Sequence, residues 1–125
     1  MKILSVDYGT KRIGLAYSVS KFAMRYKIIK SDIDELINIF KKEKFDMMLV
    51  GLPLNEDLSD SKMALFIKEI FESKKFESIK IEYVNEVMSS RITRIEKNSL
   101  LKNRKYVDDE SARMILQGYL DENYE

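Results

Sequence analysis

Asp7, Glu86 and Asp108 are acids placed where runs of structure start or stop. Asp7 closes the apolar run "KILSVD", Glu86 follows the alternating run "SIKIEYV", and Asp108 opens the last helical stretch. If the runs ending at Asp7 and just before Glu86 are parallel neighbours, both acids lie at one carboxyl edge, where open α/β sheets place their sites. The small pair Ser111 and Ala112 lets the last helix approach closely and bring Asp108 over that edge. Two carboxylates ~4 Å apart repel by roughly 4 kcal/mol at an effective dielectric near 20, and a divalent cation relieves the repulsion. Oxygen-only ligands suit a hard ion, Mg²⁺ or Mn²⁺. Such an ion activates water and stabilises the leaving oxygen of a phosphodiester with no histidine needed. Taken singly, each acid also fits a structural role as a turn residue, a solvated loop acid or a helix cap. Their convergence is what would make a site.

The composition narrows the alternatives. The chain has no histidine and no cysteine, which excludes thiolate zinc sites, cysteine nucleophiles and histidine-based triads. With 45% hydrophobic and 34% charged residues and a single proline, the 125 residues are expected to fold as one domain, 1–125. No apolar run approaches the ~20 residues of a membrane helix, and the N-terminus "MKILSVDYG" does not resemble a secretory signal. A cytoplasmic location and no membrane partner are expected.

The net charge of +1 hides a strong segregation. Residues 1–30 carry seven Lys/Arg against Asp7 alone, and residues 88–106 carry six against Glu96. The remaining segments are acidic. If the two basic segments meet in the fold, they form a surface for a polyanion.

The elements that must position these groups are legible from periodicity. "KILSVD" reads as a buried strand, and residues 8–11 as a turn around Gly9. "RIGLAYS" alternates, with Ile13, Leu15 and Tyr17 on one face and the small residues Gly14, Ala16 and Ser18 on the other, against which a helix could pack closely. "FAMRYKII" is a third strand, completing an antiparallel meander. Ser31 and Asp34 have capping-box spacing before a helix whose stripe is Ile33, Leu36, Ile37 and Phe40. "FDMMLVGLPL" is a fourth strand. The polar loop "NEDLSDS" leads into a helix with Met63, Ile67, Ile70 and Phe71 inward, and "SIKIEYV" is the fifth strand. A helix capped by Ser89 or Ser90 runs to about Leu101, and after the basic segment "LLKNRKY" the last helix spans 107–121. The expectation is a five-stranded mixed sheet with helices on both faces, α/β in class.

The segments "VDYGTKRIGLAYS", "VGLPLNEDLSDS", "VNEVMSS" and "KYVDDESARMILQGYLD" resemble, in order and spacing, the four blocks of the YqgF family of pre-16S rRNA nucleases, also called Holliday junction resolvase-like proteins. The resemblance covers essentially the whole chain. It implies a ribonuclease H-like fold and a cytoplasmic, metal-dependent nuclease that matures the 5′ end of 16S rRNA. It maps the family's acids onto Asp7, Glu86 and Asp108, and lays the basic segment before Asp108 along the nucleic acid. The chain departs from the family at Asn85 and Val87, where relatives read Asp and Arg around Glu86, and its loop "NEDLSDS" lacks the usual glycine.

The leading reading is a Mg²⁺- or Mn²⁺-dependent phosphodiesterase acting on structured RNA, pre-16S rRNA, as a monomer or weak homodimer. Asp7, Glu86 and Asp108 would be catalytic and hold the metal, with Asp109 assisting. Lys11, Arg12, Arg91, Arg94, Lys102, Arg104 and Lys105 would neutralise flanking phosphates. Two other readings use the same residues: a Holliday junction resolvase acting on branched DNA, and a catalytically weak RNA-binding ribosome-assembly factor, suggested by Asn85 and Val87. A fourth follows from the likeness of "DYGTKRIG" to the phosphate loop of sugar kinases and actin-like ATPases, which need two lobes where 125 residues supply one.

Overall fold

The structure is a computed structural model that describes residues 1–85 and 104–123, with the backbone alone for 104–108. Strands β1 (Ile3–Tyr8), β2 (Arg12–Val19) and β3 (Phe22–Lys30) form the meander. Helix α1 (Ile33–Lys42), strand β4 (Met47–Leu52), helix α2 (Lys62–Phe71), a 3₁₀ turn (Lys74–Phe76), strand β5 (Ile81–Asn85) and helix α3 (Arg104–Asn123) follow. The five-stranded sheet has the order β3-β2-β1-β4-β5. Strand β2 is antiparallel to β1 and β3, whereas β1, β4 and β5 are parallel, so their carboxyl ends share one edge. The expected mixed sheet is therefore present. The helix expected between Ser89 and Leu101 lies outside the described residues.

The two faces of the sheet carry different residues. Leu4 and Val6 of β1, Ile13 and Leu15 of β2, and Met48, Val50 and Leu52 of β4 point to one side. There Leu36 and Phe40 of α1 and Ala64, Ile67 and Phe71 of α2 cover them in the larger apolar cluster. The period of two turns Ile3, Ser5 and Asp7 to the other side, with Ala16, Met47 and Leu49, under Ala112, Ile115, Leu116 and Leu120 of α3. Helices thus cover both faces.

Three local expectations are corrected. Helix α1 is capped by Asp32, whose side chain accepts from the N–H groups of Asp34 and Glu35; the backbone N–H of Ser31 instead donates to the carbonyl of Lys11. On α2 the inward residue is Ala64 and not Met63, which is 39% exposed, because helical spacing back from Ile67 and Phe71 fits either and the sheet side admits the smaller one. Helix α3 begins at Arg104, three residues before the expected start, so part of the basic segment read as loop is its first turn. Among the described residues, no helix is long and apolar enough to cross a membrane.

Candidate active site

Asp7 reaches its position because β1 needs no side-chain volume where α3 crosses it. Ser5, two residues earlier on the same face, is fully buried, and its hydroxyl donates to the carbonyl of Ala112 at 2.8 Å. The contact requires Ala112 to sit almost on the sheet, and its neighbour across the strands, Ala16, is likewise small and fully buried. The small face of β2 and the pair Ser111–Ala112 thus act as expected.

The direction of α3 follows from its polar contacts. Near its C-terminal end, Gln117 accepts from the backbone N–H of Ala23 at 2.9 Å and donates to the carbonyl of Lys21. Nearer its N-terminal end, Glu110 stands 4.0 Å from Arg25, which pairs across β2 with Ala16 and so lies level with Ser5. The helix therefore runs from the carboxyl edge of β1 towards its amino end. Position 108 lies one turn before Ala112, on the side towards Asp7.

The turn between β1 and β2 closes the edge next to Asp7. A Cβ at Gly9 would sit 2.6 Å from the carbonyl oxygen of Arg12, so any larger residue would open the turn. Lys11 and Arg12 follow at once, placing two cations at the carboxyl edge. On the far side, β5 ends at the same edge with Asn85, paired with Leu52, and Val84 just before it packs on the α3 side with Asp7.

The remaining expected residues fall as follows. Glu86, Arg91, Arg94 and Lys102 lie outside the described residues. Asp108, Arg104 and Lys105 are placed by backbone alone in the first turns of α3. Among the described side chains, no group of three acids stands close enough to hold a metal ion.

Asp109 is half-buried, and its Oδ1 is buried with no hydrogen-bond partner among the described residues. Burial pushes its carboxyl above the usual aspartate range, and the nearby charge of Arg25 opposes the shift. An orphaned buried carboxylate oxygen is a group that a hard cation or a bound water satisfies, so the donor chemistry beside α3 fits Mg²⁺ or Mn²⁺. Sequence reading did not foresee the network next to it, in which Glu110 accepts from Arg113 Nε at 2.8 Å and faces Arg25. The i,i+3 spacing of Glu110 and Arg113 was its only trace in the sequence.

Comparison with known proteins bears on the family and the fold. Residues 1–122 match the family model "RuvX: Holliday junction resolvase". A protein of Maridesulfovibrio salexigens named "Putative pre-16S rRNA nuclease" is 33% identical over 132 residues, covering 96% of this chain and 98% of its own. One of the same name from Mycoplasmopsis synoviae is 34% identical over 135 residues, covering 97% and 98%. Among solved structures, the Fowlpox virus resolvase bound to Holliday junction DNA aligns over the whole of both chains with a TM-score of 0.59 at 17% identity. RuvC of Thermus thermophilus with its junction substrate covers 98% of this chain and 95% of its own, with a TM-score of 0.59 at 6% identity. At such identities these likenesses speak for the ribonuclease H-like fold. The family match and the curated relatives go further: this chain is a member of the RuvX family of Holliday junction resolvase-like nucleases.

Proposed function

We propose that this protein is a divalent-metal-dependent nuclease that processes the 5′ end of pre-16S rRNA in the cytoplasm, as a single domain acting as a monomer or weak homodimer. Asp7, Glu86 and Asp108 are the proposed catalytic acids and metal ligands, with Asp109 beside them. What supports this reading is the seating of α3: with Ala112 against Ser5, position 108 lies one turn before Ala112, on the side towards Asp7. The names of the curated relatives support the RNA substrate. When bound, Mg²⁺ or Mn²⁺ would supply an activated water and positive charge for the developing phosphorane.

This chain's own residues would do the rest. Lys11 and Arg12 at the β1–β2 turn hold flanking phosphates, and Arg91, Arg94, Lys102, Arg104 and Lys105 are proposed for the same role further along the strand. The Arg113–Glu110 pair and Arg25 hold the first turns of α3 against β3, which fixes the register of the proposed acids.

The test is cleavage of a precursor rRNA fragment with Mn²⁺ by the wild type and by Asp7→Asn. The variant should lose metal-stimulated cleavage and keep most of its RNA binding, and wild-type affinity should fall steeply with salt. A wild type inert with Mn²⁺ gives the case to an RNA-binding assembly factor, the reading that Asn85 and Val87 favour. A resolvase acting on branched DNA is favoured by the family's name and by the junction complexes of the fold's solved relatives. Direct competition between a four-way DNA junction and the RNA separates the two.

A further inference from the structure

Across the sheet on the α3 face, Asp7 of β1 pairs with Gly14 of β2, and Gly14 pairs with Ile28 of β3. Adjacent strands are ~4.8 Å apart, so Asp7 and Ile28 stand about 10 Å from each other. Gly14 between them is buried, so the exposed way from one to the other passes the β1–β2 turn. One step further towards the edge, Arg12 pairs with Lys30, and Lys11 precedes Arg12 in the turn. Lys11, Arg12, Ile28 and Lys30 line a groove of about 680 Å³ between residues 10–12 and 28–31. The Ser31 N–H to Lys11 carbonyl bond, 3.1 Å, ties its two walls together. The lining holds three cations and no acid. Lys11 and Lys30 are exposed, with no ion-pair partner among the described residues.

We infer that this groove binds an unpaired nucleic-acid strand as it leaves the Asp7 edge, with Lys11, Arg12 and Lys30 on its phosphates and Ile28 against a base or ribose. The inference deepens the proposed nuclease function and rests on it. A duplex shows phosphates, sugars and the polar edges of its bases, while the apolar base faces are stacked within; only an unpaired strand can turn a base face towards the half-buried Ile28 between its cations. An unpaired strand offers both charge and apolar surface, the combination that single-strand binding grooves use. The groove has the volume of a small-ligand site, too small for a helix of nucleic acid. With Asp7 about 10 Å from Ile28, a strand held at Asp7 reaches the groove along the carboxyl edge within a few nucleotides. The substrate would thus be a junction between paired and unpaired nucleic acid, as in a precursor tail, and not a fully paired four-way junction.

The probe is a fluorescent RNA hairpin with a ten-nucleotide single-stranded extension, set against the same hairpin with blunt ends. Anisotropy titrations without divalent metal read binding apart from cleavage. The wild type should bind the extended hairpin about tenfold more tightly, a difference of ~1.4 kcal/mol. Lys30→Ala should erase much of that preference, leave blunt affinity unchanged, and lower the salt slope by roughly 0.7, the loss of one single-strand phosphate contact. Lys30→Arg should keep the preference, and Ile28→Asp should lose it with both lysines intact. Equal wild-type binding to both hairpins would overturn the inference, as would a Lys30→Ala variant of unchanged melting temperature that weakens both alike. The two readings fail separately. Cleavage without the extension preference sinks the groove alone; the preference with no cleavage in Mn²⁺ sinks the nuclease and leaves the groove standing.

Discussion

The two faces of the sheet are built to different rules. The face under α1 and α2 is packed with large side chains: Phe71 meets Tyr8 edge-on with centroids 6.1 Å apart and Phe76 at 4.7 Å, and Phe40 stacks near Phe45. The face under α3 sets small residues, Ala16, Ala23 and Ala112, among aliphatic ones such as Leu49 and Leu116 and carries no aromatic in its buried cluster, and Ser5, Ser18 and Ser111, the buried polar residues among those described, all lie with it. Large apolar side chains contribute stability by area; small ones bring backbones together with accuracy. Close approach of helix to sheet is a feature of the α3 side, so the proposed chemistry sits where a shift of α3 matters most.

The largest effect should come from the first face. Phe71→Ala removes a ring that is 2% exposed, and unfolding in urea should show a loss of about 3–5 kcal/mol. Whatever protein remains folded should cleave at the wild-type rate, since Phe71 touches neither α3 nor the carboxylates. A large loss in specific activity of the folded fraction would break the division between faces.

Overfilling the second face should do the reverse. Ala16→Leu places three extra carbons beneath α3 beside Ala112, at a cost of roughly 1–3 kcal/mol. Its effect on cleavage should be larger, about 10²-fold for a displacement near 1 Å. Ser5→Ala probes the same seating more gently. Losing the hydroxyl bond to Ala112 should cost about 1 kcal/mol in melting experiments and lower cleavage by several-fold. If Ser5→Ala destabilises yet leaves cleavage untouched, α3 is not what registers the site.

Much of this division was visible beforehand, for a physical reason. Asp7 stands out because a carboxylate in an otherwise apolar strand has few structural uses, and Gly14, Ala16 and Ser18 repeat at the strand period. What periodicity could not settle were choices between neighbours that satisfy the same spacing, as with Met63 and Ala64, or that share a capping chemistry, as with Ser31 and Asp32. Arg104 and Lys105 belong to a run of cations that carries no helix-start signal, and cations in a first turn oppose the helix dipole. Bound phosphate at that end would remove the conflict. Lys30 was missed as a partner of Arg12 because their pairing depends on register, and the β2–β3 ladder shifts at Leu15/Ala16. Nor does the sequence reveal that Leu58, in the loop lacking a glycine, has a φ of 69°, a left-handed conformation costing ~1 kcal/mol for such a side chain.

The smallest effect returns to the first face and asks whether its polar atoms matter at all. Tyr83 of β5 packs at the margin of the large cluster, and its buried hydroxyl faces Glu72 without a hydrogen bond of good geometry among the described residues. Burial raises its phenol above 10.0, and the charge of Glu72 adds to the rise. At pH 7 the phenol is neutral in both folded and unfolded chains, so ionisation contributes nothing to stability there. Tyr83→Phe then only removes an unsatisfied group and should be neutral or stabilising by up to about 1 kcal/mol. Above pH 10 the unfolded chain releases its proton first, so wild-type stability falls until the folded pKa is passed. The variant lacks that component, and its advantage in urea unfolding should widen between pH 9 and pH 11. A destabilised Tyr83→Phe at pH 7 would mean that the hydroxyl has a partner after all, and that the first face is less purely apolar than its packing implies.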